Sequence, residues 1–267
     1  MGLADVHAHM TFRQLASRER EVLERARAAG VTTIIANGLN PLDNRAVLAL
    51  ADRSALVKPA LGFYPVDTVL PQLQRLDPEF RAETQTVTAA EGIAWLRDHI
   101  DQAFAVGEIG LDGHRIPESL WEPQESAFRE LVNLALQADR PIIVHTRKRE
   151  RRVLEVLEEL GARRVLWHCF GGKLKLARQI AEHGHYLSVP ANARRVVGFT
   201  RMLEALPRHR LLLETDCPYL GPEPGRDNEP ANVRLTADYA SELWKVPRRE
   251  VDERLAENFV HLFRTAP

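Results

Sequence analysis

Near the start of the chain, the short apolar run Gly2-Leu3-Ala4 leads into Asp5-Val6-His7-Ala8-His9. If this stretch forms a β-strand, alternate side chains share a face, so both imidazoles point the same way. Two neutral imidazoles on one face can bind a single cation, and Zn²⁺ accepts such ligands well. A lone His-x-His also occurs as two ordinary histidines, so its meaning depends on the side chains that later strands supply.

Seven further apolar runs come after it, and helix-like stretches separate most of them. The predicted strands cover residues 3–9, 32–37, 57–63, 104–111, 141–145, 165–169, 186–189 and 211–215. Predicted helices between them include residues 15–29, 44–51, 123–138, 149–160 and 174–183. Several strands are continuously apolar, as in a parallel sheet that helices cover. Eight strand–helix repeats predict an α/β protein with a (β/α)8 TIM barrel, and we expect residues 1–267 to form a single domain.

Two stretches depart from a minimal barrel. Residues 66–103 form an insertion between the third and fourth strands, with an amphipathic helix predicted at 89–100. Residues 217–230 form a Pro/Gly-rich loop after the eighth strand, which is either a plain connector or a functional loop at the barrel mouth. Residues 231–263 are expected to be helices packed on the barrel. A doubly wound open sheet is the alternative fold, but no Gly-x-Gly-x-x-Gly follows the first strand.

Composition limits the function classes. The 267 residues carry a formal net charge of -1, so no global basic field attracts a long polyanion. The two cysteines, Cys169 and Cys217, lie far apart, which fits buried thiols in a reducing compartment rather than a disulfide framework. The histidine motif begins by residue 7, and no apolar run is long enough to span a bilayer. We therefore expect a soluble, cytoplasmic protein without a signal peptide.

Four later strands each deliver an ionisable residue near their carboxyl end: Glu108, His145, His168 and Asp216. In a barrel all these ends open onto one face, where active sites are built. A histidine at a strand end is often a hydrogen-bonded structural residue, but five strands repeating that pattern indicate one metal centre.

The residue types suit a pair of cations. A carboxylate can give one oxygen to each metal, which makes Glu108 the natural bridge. His7, His9 and Asp216 suit the first metal, and His145 and His168 suit the second. Imidazole and carboxylate ligands accommodate two divalent metal ions, whether Zn²⁺, Mn²⁺, Co²⁺ or Mg²⁺. Water activated at such a centre becomes a nucleophile near neutral pH, and Asp216 is placed to take its proton.

The chain resembles the TatD family of metal-dependent deoxyribonucleases, within the amidohydrolase superfamily. The resemblance covers nearly the whole chain, and its motifs are these: Asp5-Val6-His7-Ala8-His9, Gly107-Glu108-Ile109-Gly110-Leu111-Asp112, Pro141-Ile142-Ile143-Val144-His145-Thr146-Arg147, His168-Cys169-Phe170-Gly171-Gly172, Glu214-Thr215-Asp216-Cys217-Pro218-Tyr219 and Asn228-Glu229-Pro230-Ala231-Asn232-Val233. It implies a TIM barrel, a divalent-metal site and phosphodiester hydrolysis, typically from DNA ends. It also implies six metal ligands, with Asp216 the catalytic base as well: His7, His9, Glu108, His145, His168 and Asp216.

Three positions depart from the family pattern. Tyr64 stands where the family has a histidine near the substrate phosphate, Gly171 replaces a serine, and Gly113-His114 replaces the aromatic residue or histidine that usually follows Leu-Asp. A phenol donates a hydrogen bond but carries no positive charge at neutral pH. These departures concern the substrate rather than the metals.

Four residues are candidates for substrate binding. Arg147 begins a basic run that could be a solvated helix start, but its guanidinium matches phosphate geometry. Tyr64 and His114 lie on loops after strands three and four, and Tyr219 could stack on a base or pack within its loop.

The predicted function is a divalent-metal-dependent phosphodiesterase, a 3′–5′ exonuclease on single-stranded DNA. A barrel mouth is concave and suits a strand end, and the near-neutral chain offers charge for few phosphates. We expect DNA ends as partners, no membrane and no obligate protein partner. The first alternative is an amidohydrolase or lactonase, but many such relatives bridge their metals with a modified lysine, and strand four offers Glu108 instead. The second is a non-catalytic metal-binding or interaction protein, which would be expected to have lost a ligand or the base.

Overall fold

A computed structural model describes residues 2–80 and 86–264. It contains one eight-stranded sheet in which each strand is parallel to the next and the strand order is the chain order. The strands are β1 (Leu3–Ala8), β2 (Val31–Asn37), β3 (Val57–Leu61), β4 (Ala105–Asp112), β5 (Ile142–Arg147), β6 (Val165–Trp167), β7 (Tyr186–Val189) and β8 (Leu211–Leu213). The predicted (β/α)8 barrel is confirmed, and all eight predicted strands are present, with ends that differ by up to two residues.

Helices surround this sheet. They are α1 (Arg13–Ala16), α2 (Glu19–Ala28), α3 (Pro41–Arg53), α4 (Leu70–Leu76), α5 (Ala89–His99), α6 (Trp121–Gln137), α7 (Glu150–Glu159), α8 (Leu174–Glu182), α9 (Val197–Ala205), α10 (Val233–Trp244) and α11 (Arg248–Phe263). The helix predicted at 15–29 forms as two pieces, because Arg18 leaves the helical region with φ -129° and ψ 24°. None of the described helices is long and apolar enough to cross a membrane.

The insertion after β3 contributes α4 and α5, and its residues 81–85 lie outside the described part of the chain. The amphipathic helix predicted there is confirmed as α5. It starts with a capping box, in which the Thr88 hydroxyl accepts from the Glu91 backbone N–H and the Glu91 carboxylate accepts from the Thr88 N–H.

The interior of the barrel is filled by a ring of apolar side chains. One buried cluster takes one residue from each of the eight strands, and the end of α11 closes it with Leu262 and Phe263. The ring consists of Val6, Ile35, Ala60, Ala105, Ile143, Leu166, Tyr186 and Leu212. A larger cluster joins the outer faces of the strands to the helices. The apolar filling of the barrel interior leaves its other end, the mouth, for polar side chains.

Two strands carry register shifts just where they supply charged side chains to the mouth. The pairing of β1 with β2 shifts between Asp5 and Ala8, and the pairing of β4 with β5 shifts between Val106 and Ile109. An extra residue in a strand re-aims the side chains beyond it. This explains how Val6 fills the interior while the adjacent His7 joins the polar group above it.

Candidate metal centre

The six predicted ligands meet at the mouth of the barrel. They lie within or just after five different strands, and none of them is exposed. His7 lies in β1 and His9 just after it, Glu108 lies in β4, His145 in β5, and His168 and Asp216 follow β6 and β8. The structure therefore brings together every residue that the sequence indicated as a ligand.

The first group of donor atoms comes from β1 and the segment after β8. His7 Nε2 lies 3.3 Å from His9 Nε2 and 3.6 Å from Asp216 Oδ1. His9 Nε2 lies 3.4 Å from the same oxygen of Asp216. Glu108 Oε2 stands 3.5 Å from each of the two imidazole nitrogens.

The second group uses the other oxygen of Glu108. Glu108 Oε1 lies 2.7 Å from His145 Nδ1 and 3.1 Å from His168 Nε2. These two imidazole nitrogens are 3.4 Å apart. One carboxylate thus faces a separate set of imidazoles with each of its oxygens, which is the arrangement of a bridging ligand.

The donor set fits divalent cations. Metal bonds of about 2.0–2.1 Å in tetrahedral geometry hold their donor atoms about 3.3–3.4 Å apart. In the first group the donor separations are 3.3–3.6 Å. Neutral imidazole and carboxylate are ligands that Zn²⁺ and related metals prefer. His7, His9 and Asp216 could hold one cation, His145 and His168 another, and Glu108 both.

Burial and the imidazole cluster set the charges of Glu108 and His7. Burial by itself would raise the pKa of Glu108, but His168, His145 and His7 around it hold that pKa well below its usual range. Burial and the neighbouring His168 together lower the pKa of His7 to about 4. An ionised carboxylate and a neutral imidazole are the forms that bind metals.

His9 and His145 hold protons when no cation competes for them. Burial opposes their charge, but the Asp216 hydrogen bond and the charge of Glu108 raise the pKa of His9 to about 9. Asp112 and Glu108 likewise raise the pKa of His145 to about 9. Cation binding must displace these protons, so it is favoured by rising pH.

A second layer of groups orients the imidazoles. His9 Nδ1 lies 3.4 Å from the carbonyl oxygen of Asn37, and His145 Nε2 lies 3.2 Å from Asp112 Oδ2. Glu214 Oε2 lies 3.8 Å from His168 Nδ1 and accepts a hydrogen bond from the Ser188 hydroxyl at 2.6 Å. Such contacts fix the ring orientation of a metal-binding histidine.

The last strand is joined to the first at the mouth. The Asp216 backbone N–H donates to the His7 carbonyl, and the His9 N–H donates to the Cys217 carbonyl. Asp216 has a φ of 53°, in the left-handed region that non-glycine residues rarely adopt. Asp5 braces the same junction, because its carboxylate accepts from the backbone N–H and the hydroxyl of Thr215 at 2.8 and 2.5 Å.

The donor atoms open into a cavity of about 440 Å³. Of the predicted substrate-binding residues, Arg147, Tyr64 and Tyr219 line it. His114 is exposed on the loop after β4, and the residue of this loop that lines the cavity is Arg115. The Pro/Gly-rich loop supplies Tyr219 and Leu220 to the wall, so it does more than connect two elements.

Several residues of the cavity wall were not predicted from the sequence, among them Arg115 and Phe12. Phe12 stacks on the His9 ring with centroids 5.0 Å apart and meets Tyr219 edge-on at 5.9 Å. An aromatic residue three positions after a ligand is a weak signal for this placement. For Arg115 the signal was a cation just after the Leu-Asp pair, where the sequence prediction placed His114 instead.

Of the two glycines that depart from the family pattern, Gly113 has a structural explanation and Gly171 has none. A Cβ added at Gly113 would lie 2.9 Å from Cγ of Arg149, whose guanidinium stacks over the Trp121 ring at 4.2 Å. Arg149 thus occupies the space beside this loop. Gly171 has open space around it, so the lack of a side chain there relieves no clash.

Comparison with known proteins gives consistent results. The sequence profile of the family described as TatD related DNase matches residues 4–264. The chain is 31% identical to the uncharacterized metal-dependent hydrolase YabD of Bacillus subtilis, over 98% of this chain and 99% of that protein. It is 30% identical to the 3'-5' ssDNA/RNA exonuclease TatD of Enterobacter lignolyticus, over 85% of each chain. The crystal structure of YJJV, a TatD homologue from Escherichia coli, superposes with a TM-score of 0.83 and 27% identity, over 99% of this chain and 98% of that one.

Proposed function

Because the chain belongs to the TatD-related DNase family of metal-dependent hydrolases, we propose that it removes nucleotides from the 3′ end of single-stranded DNA. The observation that carries this proposal is the carboxylate of Glu108, whose two oxygens face two sets of imidazoles inside a cavity that also contains Arg147. A pair of cations and a guanidinium suit a phosphodiester, which carries one negative charge and gains more in its transition state.

The residues of this chain have distinct roles in the proposed reaction. When bound, a pair of divalent cations polarises the phosphoryl oxygens and lowers the pKa of water. Asp216 takes the proton of the attacking water, and its carboxylate is ionised because His9, His168 and His7 lower its pKa against the effect of burial. Arg147, two residues beyond His145, holds the scissile phosphate.

Cavity shape and charge support action at strand ends. The cavity of about 440 Å³ at the barrel mouth is a closed-ended pocket of the size that small ligands occupy. With a net charge of -1, the protein has little long-range attraction for duplex DNA. The Enterobacter relative bears the name of a 3'-5' exonuclease on single-stranded DNA and RNA, which supports this direction and strandedness.

End-labelled oligonucleotides test the proposal. Metal-reconstituted protein is incubated with single-stranded and blunt duplex substrates labelled at either end, and with a panel of lactones and amides. We expect a ladder of products shortened from the 3′ end of the single strand, with release of mononucleotides. Hydrolysis of a lactone or amide, without phosphodiester cleavage in any divalent metal, would replace the proposal with the amidohydrolase alternative.

A further inference from the structure

Two guanidinium groups line the cavity without an anionic partner. Within the described residues, neither Arg115 nor Arg147 comes within 4.0 Å of a carboxylate oxygen, and both side chains are exposed. Arg149, which follows β5, is by contrast paired with Glu125. An arginine that lacks a carboxylate partner and lines a cavity is available to bind an anionic ligand.

Arg115 and Tyr64 line the same cavity. The charge of the Arg115 guanidinium acts on the Tyr64 hydroxyl, where it favours the ionised phenol against the effect of burial. The Tyr64 ring packs edge-on against the His145 ring with centroids 5.1 Å apart, so Tyr64 borders the metal centre. Tyr64 itself stays neutral, because burial and the charge of Glu108 raise its pKa. The positive charge on this side of the cavity therefore comes from Arg115.

The loop that carries Arg115 is built rigidly. Asp112 Oδ1 accepts from the backbone N–H groups of His114 and Arg115, each at 2.7 Å. Just beyond, Trp121 Nε1 donates to the carbonyl of the buried Ile116 at 3.1 Å. The backbone of Arg115 is thus fixed on both sides.

One buried side chain ties this loop to the loop of Tyr64. Gln124 on α6 is fully buried, and its Nε2 donates to the carbonyls of Pro65 and Asp112 at 3.3 and 3.4 Å. Its Oε1 accepts from the Asp112 N–H at 3.2 Å. The backbones of Tyr64 and Arg115 therefore keep a fixed relation, as a preformed binding site requires.

We propose that Arg115, in the same cavity wall as Tyr64, binds a second phosphate, the one that neighbours the scissile phosphate across a single nucleoside. This inference rests on the proposed function, in which the scissile phosphate lies among the metal ligands and Arg147. Because Arg115 lies on the loop after β4 and not within 4.0 Å of the Glu108 or Asp216 carboxylates, it is placed to meet a different anion from the one that reacts. The preferred ligand is therefore a nucleotide unit with phosphates on both its 5′ and 3′ oxygens.

Nucleotides without a phosphodiester bond test this inference by binding alone. Calorimetry measures the affinity of metal-loaded protein for thymidine 5′-monophosphate, thymidine 3′-monophosphate and thymidine 3′,5′-bisphosphate, and chromatography checks that the ligands remain intact. We expect the bisphosphate to bind about tenfold more tightly than the better monophosphate, as one charge-assisted guanidinium contact allows. In Arg115→Gln this advantage should fall to about twofold or less, and monophosphate affinity should change little.

Matched variants separate the alternatives. Tyr64→Phe keeps the ring on His145 but removes the hydroxyl, so it should lose part of the bisphosphate advantage. Arg201→Gln removes an exposed charge on α9, outside the cavity, and should keep the full advantage. Equal affinity for bisphosphate and monophosphate in the wild type, or an unchanged advantage in Arg115→Gln with the Tm preserved, would overturn the inference. Failure to cleave DNA would instead count against the proposed function, because the binding comparison involves no cleavage.

Discussion

At Glu108, one side chain connects both groups of donor atoms. Its Oε2 lies 3.5 Å from His7 Nε2, and its Oε1 lies 3.1 Å from His168 Nε2. Each imidazole serves one group, whereas the carboxylate serves both. Removing a group that two sites share must therefore have a different effect from removing a group that belongs to one.

Substitution of single ligands tests this difference. In Glu108→Ala both cations should lose occupancy, whereas in His168→Ala the loss should fall mainly on the second site. Elemental analysis after gel filtration, compared with wild type and with the exposed Glu118→Ala as a control, measures the metal content. Full occupancy in Glu108→Ala would eliminate the bridging role.

Asp216 combines a ligand oxygen with the proposed base. Asp216→Asn keeps the side-chain shape and one carbonyl oxygen but removes the negative charge and the basic oxygen. The rate of DNA hydrolysis should fall by on the order of a hundredfold or more, while metal at the His145 and His168 site remains. Asp227→Asn, an exposed change in the same loop, is the matched control. Turnover of Asp216→Asn at the wild-type rate would remove Asp216 from the role of base.

At the scale of the strands, the apolar runs predict the barrel well, but they do not predict the register shifts within its strands. Eight runs with helices between them lead to the parallel order, because few other folds use eight such repeats. The register shifts before Ala8 and Ile109 cannot be predicted in this way, because one extra residue in an apolar run does not change the composition of the run. Simple alternation correctly places His7 and His9 together, yet it does not explain how Val6 can also face the interior.

Loops account for the rest of the difference between sequence and structure. The loop after β4 presents Arg115 to the cavity rather than His114 because Asp112 accepts two successive backbone N–H groups and Gln124 anchors the strand end. Gln124 lies on α6, which begins beyond this loop, so no pattern of neighbouring residues predicts its hydrogen bond with Asp112. Ligands at strand ends are predictable from spacing, whereas substrate contacts on loops depend on such distant hydrogen bonds.

The packing of β7 against β6 predicts a dependence of stability on pH. His185, 2% exposed and directly before β7, accepts a hydrogen bond from Trp167 Nε1 at its Nδ1 and donates one from Nε2 to the Ala162 carbonyl. This pairing requires the neutral ring, and burial lowers the pKa of His185 to about 4 from 6.5. Between pH 6.5 and about 4, the unfolded chain binds a proton at His185 that the folded chain does not bind. The free energy of unfolding therefore decreases as the pH is lowered through this range.

His185→Gln isolates this contribution, since glutamine can accept and donate without titrating. Between pH 6.5 and 4 the wild type should lose about 3 kcal/mol of unfolding free energy more than the variant. Urea unfolding of both proteins in chelator, at a series of pH values, measures the difference, and the shared metal ligands cancel. If the free energy of unfolding of the two proteins changes in parallel with pH, His185 is not held neutral in the folded state.

At the scale of the whole molecule, charge is balanced globally and concentrated locally. The formal net charge is -1, and Arg115 and Arg147 line the cavity without a carboxylate partner among the described residues. Most other arginines are engaged in surface ion pairs, such as Arg152 with Glu125 and Arg194 with Glu242. The surface therefore provides a short cationic site at the mouth rather than a continuous track for a polyanion.

This distribution predicts how substrate affinity responds to salt. Each neutralised phosphate of a single strand contributes about -0.7 to the slope of log affinity against log salt. With one to three phosphates bound at the mouth, the slope for a single-stranded oligonucleotide should be shallow, about -0.7 to -2. Arg147→Ala should raise KM more than it lowers kcat, and Arg201→Gln should change neither.

Circular single-stranded DNA has no end to enter the pocket and should remain intact under conditions that degrade its linear form. A slope several times steeper, or internal cutting of the circle, would mean that the strand runs across the barrel surface instead of ending in its mouth.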